Sequence, residues 1–293
     1  MIKHYIKPQI EWTEEKIELL KKEYPLGNKK ELAKKLNIKD KTLKAAASRF
    51  KIKSLKDINH YKLEFLTKES SLSYYWLGFI LADGYIGQNR GELKITLNNR
   101  DKNHLEKLGK ILNIKVKTKI VIINNIQTSI CILNCADIYN SKIIYNKLGL
   151  DLNLPKTYNP PIKLNINNDI FFLSFLLGII DGDGTFSKRK NNVTFIRIEV
   201  HKNWHDYLIQ IKEKLNSIGF DGISVNFTKR GYVYLRICRK QNFIALKNFA
   251  LNNNLPILER KWNLVNEKEN LTHHSCKINK DLQLNFNNIN STI

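Results

Sequence analysis

Residues 74–86 read Tyr-Tyr-Trp-Leu-Gly-Phe-Ile-Leu-Ala-Asp-Gly-Tyr-Ile, and residues 174–186 read Ser-Phe-Leu-Leu-Gly-Ile-Ile-Asp-Gly-Asp-Gly-Thr-Phe. Gly78 and Ala82 in the first stretch, and Gly178 and Gly182 in the second, are spaced i, i+4 and share one helix face. Glycine inside a helix costs about 1 kcal/mol relative to alanine, so its presence there needs a packing reason. Small residues at this spacing let two backbones approach closely. The remaining positions are apolar almost all round, which predicts buried helices. The simplest arrangement packs the two stretches against each other along their small faces, with a sheet around each.

The sequence outward from each stretch repeats. A strand-like run follows, at 93–99 or 195–201, and then an amphipathic helix, at 103–112 or 206–215. More strands are expected around 114–134 and 223–238. A helical stretch then closes each copy, ending in Leu154-Pro155 or Leu255-Pro256. The order helix, two strands, helix, two strands, helix occurs twice, which predicts an α+β fold of two pseudo-symmetric αββαββα halves.

Asp83 and Asp183 stand 100 residues apart, at the same end of both helices. That end is the negative pole of the helix dipole, an unfavourable place for a carboxylate. Two carboxylates brought together there also repel each other. A divalent cation relieves both penalties, and Mg²⁺ suits carboxylate oxygens and phosphates. Such a site can activate water for phosphodiester hydrolysis.

Leu176–Gly184 closely resembles the LAGLIDADG motif, and Trp76–Gly84 resembles it less completely, with Leu81 where the motif has its first acid. The resemblance covers about residues 70–270. It implies a single-chain, monomeric homing endonuclease with two saddle-shaped antiparallel sheets lying along double-stranded DNA. It also implies Mg²⁺-dependent double-strand cleavage across the minor groove, leaving short 3′ overhangs, by a protein encoded in a mobile element. Asp83 and Asp183 match the catalytic acids, and the metal positions are Asp83, Asp183, Ala82 and Gly182. Glu199, and more weakly Thr96, match a polar residue that holds an active-site water. Lys240, or Arg239, matches a basic residue late in the second copy; Asn134-Cys135-Ala136 offers none in the first, which suggests unequal nicking of the two strands. Other readings of the same fold are an RNA maturase acting on intron RNA and a non-catalytic DNA-binding regulator.

Alternation along the strands places Lys94, Thr96 and Asn98 opposite Leu93, Ile95 and Leu97, and Arg197, Glu199 and His201 opposite Ile196, Ile198 and Val200. One face is core and the other a candidate DNA-reading surface. Lys117, Lys119, Arg189, Lys229, Arg230 and Arg236 extend it.

Upstream, residues 12–53 read as three short helices. Thr13 is placed to cap the first, Trp12 and Ile17 to staple it, and Pro25–Gly27 to end it. An Asn28–Glu31 capping pattern opens the second, and Asp40 or Thr42 is the expected cap of the third. Residues 1–60 carry 16 basic and 8 acidic side chains. The segment resembles a Myb-like helix-turn-helix whose third helix, with Lys41, Lys44 and Arg49, enters the major groove. The expected domains are therefore residues 1–60, a linker 61–72, half one 73–155, half two 156–270 and an Asn-rich tail 271–293.

The bulk properties agree. The 293 residues carry a formal net charge of +22 and 42% hydrophobic residues. A packed core is expected, and nucleic acid is the natural counter-charge, although an AT-rich genome also enriches lysine. Cys131, Cys135, Cys238 and Cys276 show no zinc-site spacing and read as reduced thiols. The N-terminal residues lack the apolar core of a signal peptide, and Ile170–Ile180 is too short to span a bilayer. The expectation is an intracellular protein acting at DNA, with no membrane partner.

Overall fold

The computed structural model describes residues 11–24, 29–52, 61–87, 92–151, 154–189 and 192–265. The chain divides into two compact units, residues 1–60 and 61–293. The expected helix stop at 25–27, the Asn28 cap and the 271–293 tail lie outside the described residues.

The first unit contains α1 (Glu14–Glu23), α2 (Lys29–Lys35) and α3 (Asp40–Arg49). The Thr13 hydroxyl accepts the Lys16 amide at 3.4 Å, so the first helix is capped where the sequence placed its cap. Leu20, Tyr24, Leu32, Ala33, Leu36, Leu43, Ala46 and Ala47 form its core, and Trp12 and Phe50 pack against it, edge to face with each other. The third helix departs from expectation. Its cap position is Lys39, which makes no side-chain capping bond. Asp40 lies one position inside, where its charge favours the dipole and pairs with Lys44 at 3.0 Å.

The second unit is the repeat. Half one runs α4 (Ser71–Asp83), β1 (Gly84–Gly87), β2 (Glu92–Asn98), α5 (Lys102–Leu112), β3 (Lys117–Ile123), β4 (Ile126–Ala136) and α6 (Ile138–Leu148). Half two runs α7 (Asp169–Asp183), β5 (Gly184–Arg189), β6 (Asn192–His201), α8 (His205–Ser217), β7 (Ile223–Phe227), β8 (Tyr232–Ile237), α9 (Lys240–Asn252) and the single turn α10 (Glu259–Trp262). Each half holds a four-stranded antiparallel sheet, ordered β1-β2-β4-β3 or β5-β6-β8-β7. The αββαββα order is therefore present twice.

The motif helices α4 and α7 are the centre of the core, and both are buried along nearly their whole length. Ser70 caps α4 through the Ser73 amide at 3.2 Å. Asn168 caps α7 through the amides of Ile170 and Phe171 at 2.9 and 3.1 Å. Backbones meet at the glycines. A Cβ on Gly78 would overlap the Phe175 carbonyl, and one on Gly178 would overlap the Tyr75 carbonyl. At Gly182 it would strike the Ala82 methyl. The small-residue face is thus the contact between the two halves.

The expected linker 61–72 is structural instead. Leu63 and Leu66 lie in a 3-10 turn and are fully buried. The Ser73 hydroxyl donates to the Leu66 carbonyl at 3.0 Å, and the Lys62 amide to the Leu112 carbonyl at 3.0 Å. Its sequence signal is the short apolar set Tyr61, Leu63, Phe65 and Leu66, all of which pack on the core.

Candidate active site at the paired helix ends

Tight packing of α4 on α7 brings their C-terminal ends, and with them Asp83 and Asp183, to one place. Burial and the neighbouring Asp183 charge push the Asp83 carboxyl up to about 6. Burial likewise raises Asp183, although that side chain stays accessible to solvent. Among the described residues no group of three or more Asp, Glu, His or Cys gathers as a ready-made metal cage. The donors here are two hard carboxylates under mutual repulsion, which suits a hydrated divalent cation that also takes phosphate oxygens.

Each helix end carries a lysine. Lys156 Nζ donates to the carbonyls of Ile80, Leu81 and Ala82 at 3.2, 2.6 and 2.7 Å. Lys261 Nζ donates to those of Ile180, Asp181 and Gly182 at 3.0, 2.7 and 3.1 Å. The last carbonyls of a helix have no intrahelical partner, and an ammonium there also opposes the dipole. Both lysines draw the Asp83 and Asp183 pKa values down against burial. Burial in turn lowers the Lys156 pKa to about 8, and that of Lys261 also falls. The carbonyls of Ala82 and Gly182, expected beside the metal, thus each hold a lysine; a carbonyl has a second lone pair to offer.

These lysines were not among the sequence candidates. Lys240 opens α9, whereas the cations that act on the carboxylates are Lys156 and Lys261. Lys156 thus places a basic residue at the end of the first motif helix, where Asn134-Cys135-Ala136 offered none. Lys156 directly follows Pro155, while Lys261 lies five residues beyond Pro256. That difference in spacing hides the pair from a repeat alignment.

The segments carrying the lysines cross between halves. Beside Lys156, the Thr157 carbonyl accepts the Trp204 indole N–H of half two at 3.0 Å. Beside Lys261, Arg260 makes a bidentate pair with Asp101 of half one, at 2.6 and 2.8 Å. Residue 156 is therefore part of a cross-brace rather than a clean start of half two.

The first acid of the second motif has a structural task. Asp181 is buried and accepts from Tyr75 Oη at 2.6 Å, Trp262 Nε1 at 2.7 Å and the Leu258 amide at 2.8 Å. Burial nonetheless outweighs these donors and raises its pKa to about 6. Tyr75 comes from the opposite motif helix, so Asp181 ties α7 to α4. At the matching position of half one, Leu81 borders a cavity of about 270 Å³ that Asp183, Lys156 and Glu199 also line.

Of the other sequence candidates, Glu199 and His201 line the same cavity as Asp183, and the rest are spread over the two sheets and the first unit. Glu199 lies on the outward face of β6, ion-paired with Arg197, and Thr96 takes the corresponding outward position on β2. Asn98 and His201 end those strands and accept the amides of Arg100 and Asn203, at 3.0 and 3.4 Å. Lys94 faces outward opposite Asn134, and Lys117 and Lys119 are exposed on β3. Arg197 lies over the Tyr234 ring at 4.0 Å and Arg236 over the Phe195 ring at 4.1 Å. Lys229 and Arg230 are exposed at the β7–β8 turn, and Arg189 ends β5. In the first unit, Lys41, Lys44 and Arg49 are exposed on α3.

The raised Asp83 pKa has a consequence for stability. Between about pH 4 and 6 the folded state holds more protons than the unfolded one, so this site lowers stability as pH rises through that window. Metal-free Asp83→Asn protein is expected to unfold at a higher temperature than wild type at pH 7, by up to about 3 kcal/mol in stability. The advantage should shrink at pH 5. Thermal unfolding at both pH values checks this; an advantage independent of pH would mean that Asp83 is not held at a perturbed pKa.

The sequence matches no family model and no curated protein. Solved structures do resemble it. The LAGLIDADG homing endonuclease I-GzeII, in complex with its DNA target, is 15% identical over 71% of this chain and 96% of its own, with a TM-score of 0.45. I-DmoI, in complex with DNA and Ca, is 18% identical over 68% of this chain and 97% of its own, also at 0.45. The N-terminal LAGLIDADG domain of WhiA is 14% identical over 64% of this chain and 88% of its own, at 0.41.

Proposed function

We propose that this chain is a site-specific endodeoxyribonuclease that cuts both strands of DNA with the help of a divalent cation, Mg²⁺ in the first instance. One observation carries the reading: Asp83 and Asp183 meet at the paired ends of α4 and α7, each beside a lysine held on the helix carbonyls. A structural purpose does not require two repelling carboxylates at the unfavourable end of two dipoles. A phosphodiester with a bound cation does.

In this reading a divalent cation supplies Lewis acidity and an acidified water when bound. Asp83 and Asp183 hold it, with the Ala82 and Gly182 carbonyls beside them. Lys156 and Lys261 bring positive charge to the phosphates and keep the two carboxylates ionised. The outward faces of the two sheets meet the DNA, and phosphate contacts from the exposed lysines fix the register. The test is incubation of the full chain with duplex spanning the insertion point of its gene, in Mg²⁺ and in EDTA. Cutting in Mg²⁺ alone supports the reading; tight, specific binding without cutting would make the protein a regulator.

The first unit, in the same reading, is a helix-turn-helix that lengthens the footprint through α3. Deleting residues 1–60 is expected to weaken binding and shorten the footprint without moving the cuts. Each phosphate that the shortened protein no longer neutralises should take about one unit from the slope of log K against log salt. Unchanged footprint and slope would assign this unit to another partner.

A further inference from the structure

The two sheets differ in what they present outward. In antiparallel pairs, directly opposed residues share a face. On β4, Cys131, Leu133 and Cys135 point into the core, so Ile126, Ile130 and Ile132 point out. Lys117 pairs with Ile132, Lys119 with Ile130 and Ile123 with Ile126, so this outward face mixes aliphatics with lysines. Val121, paired with Thr128, completes the row. Ile123 and Ile126 are 51% and 66% exposed. The turn between the strands is tight, with Asn124 and Asn125 both at positive φ (49° and 62°), which fixes the hairpin's register.

Among the described residues, half two has no such aliphatic patch. Tyr234 and Tyr232 replace Ile132 and Ile130 beside the corresponding inward pairs, and Arg236 replaces Asn134. Arg236 and Arg197 lie flat on aromatic rings.

A cluster of exposed and half-buried aliphatics, Ile123 and Ile126 with Val121, Ile130 and Ile132, is unfavourable in water. Here it is continuous with Thr96, Asn98, Lys117 and Lys119, on the face that the proposed function lays against DNA. The lysines complement phosphates on either side of a groove. The apolar feature that duplex DNA offers in its major groove is the thymine C5-methyl group, and aliphatic side chains recognise it. We propose that Val121, Ile123, Ile126, Ile130 and Ile132 read thymine methyl groups, so that the half-site under half one is thymine-rich at its outer end. The half-site under half two carries no such requirement. The inference rests on the endonuclease reading and adds a specificity to it.

The test selects full-chain protein against a pool of randomised 40-base-pair duplexes in Ca²⁺, then remakes the best binder with deoxyuridine replacing thymidine one position at a time. Burial of a methyl is worth about fourfold in affinity, so each contacted methyl removed should cost about that much. The penalties should cluster in one outer segment and disappear in an Ile130→Ser, Ile132→Ser double variant. A second variant, Ile126→Ser, exposed at the hairpin end and away from the core, guards against misfolding of the first. No sequence enriched from the pool would overturn the DNA reading itself. Enrichment without any deoxyuridine penalty would overturn this inference alone. So would self-association of the wild type that these variants abolish, which would make the patch a contact between copies of the chain.

Discussion

Asp83→Asn or Asp183→Asn is expected to reduce double-strand cleavage by at least about 10³-fold, some 4 kcal/mol of transition-state stabilisation. The amide is isosteric but neutral and a poor ligand for a hard cation. DNA affinity should stay equal or rise, because a carboxylate facing phosphates repels them. The separation of the two readouts matters. A variant that simply misfolds loses both, whereas the active-site account loses only cutting. The metal-free Asp83→Asn protein should also be no less stable than wild type at neutral pH, since the native carboxyl is held at about 6 by burial and by Asp183. Cutting of both strands at a near wild-type rate by either variant would mean that the chemistry lies elsewhere.

Gly78→Leu or Gly178→Leu is expected to cost several kcal/mol of stability, or to prevent folding of the second unit. The added side chain has nowhere to go. A Cβ at Gly78 would lie 2.8 Å from the Phe175 carbonyl carbon, and one at Gly178 would lie 2.7 Å from the Phe79 amide nitrogen. These obstacles are backbone atoms in the centre of the core, so relief requires the helices to move apart. Separation would also part Asp83 from Asp183 and break the Tyr75–Asp181 bond that joins them. Thermal or denaturant unfolding measures the loss. Wild-type stability in both variants would place the interface of the halves away from α4 and α7.

The sequence was most legible where a residue's neighbours in the chain decide its role. The motif helices, their small faces and the two αββαββα orders follow from periodicity and from glycine at i, i+4. Thr13 caps its helix because a cap is a local bond. Legibility failed where a role depends on residues remote in the chain. Lys156 and Lys261 read as ordinary surface lysines; only the fold returns them, 74 and 79 residues later, to the carbonyls of Ala82 and Gly182. Arg260 and Asp101, 159 residues apart, carry no mutual signal in the sequence at all. Lys240, the sequence candidate for a late basic residue, opens α9. Residues 61–72 lacked the length of an amphipathic pattern, yet Leu63 and Leu66 fill the core. Asp40 fits a cap by type, but the helix begins one residue earlier than that role requires.

The most direct test maps the cuts on both strands. A duplex spanning the proposed insertion point of the gene is labelled at one end of each strand in turn, incubated with the full chain in Mg²⁺ or EDTA, and resolved at single-nucleotide length. In the proposed reading, the paired carboxylates act on two phosphates across the minor groove, which is about 6 Å wide, and the nearest phosphates across that groove are offset toward the 3′ ends. The expected result is one cut in each strand, staggered to leave short 3′ overhangs, present in Mg²⁺ and absent in EDTA, with Asp83→Asn and Asp183→Asn inactive. Cuts of equal strength in EDTA, or blunt or scattered cuts that survive either substitution, would contradict an active site built on Asp83 and Asp183.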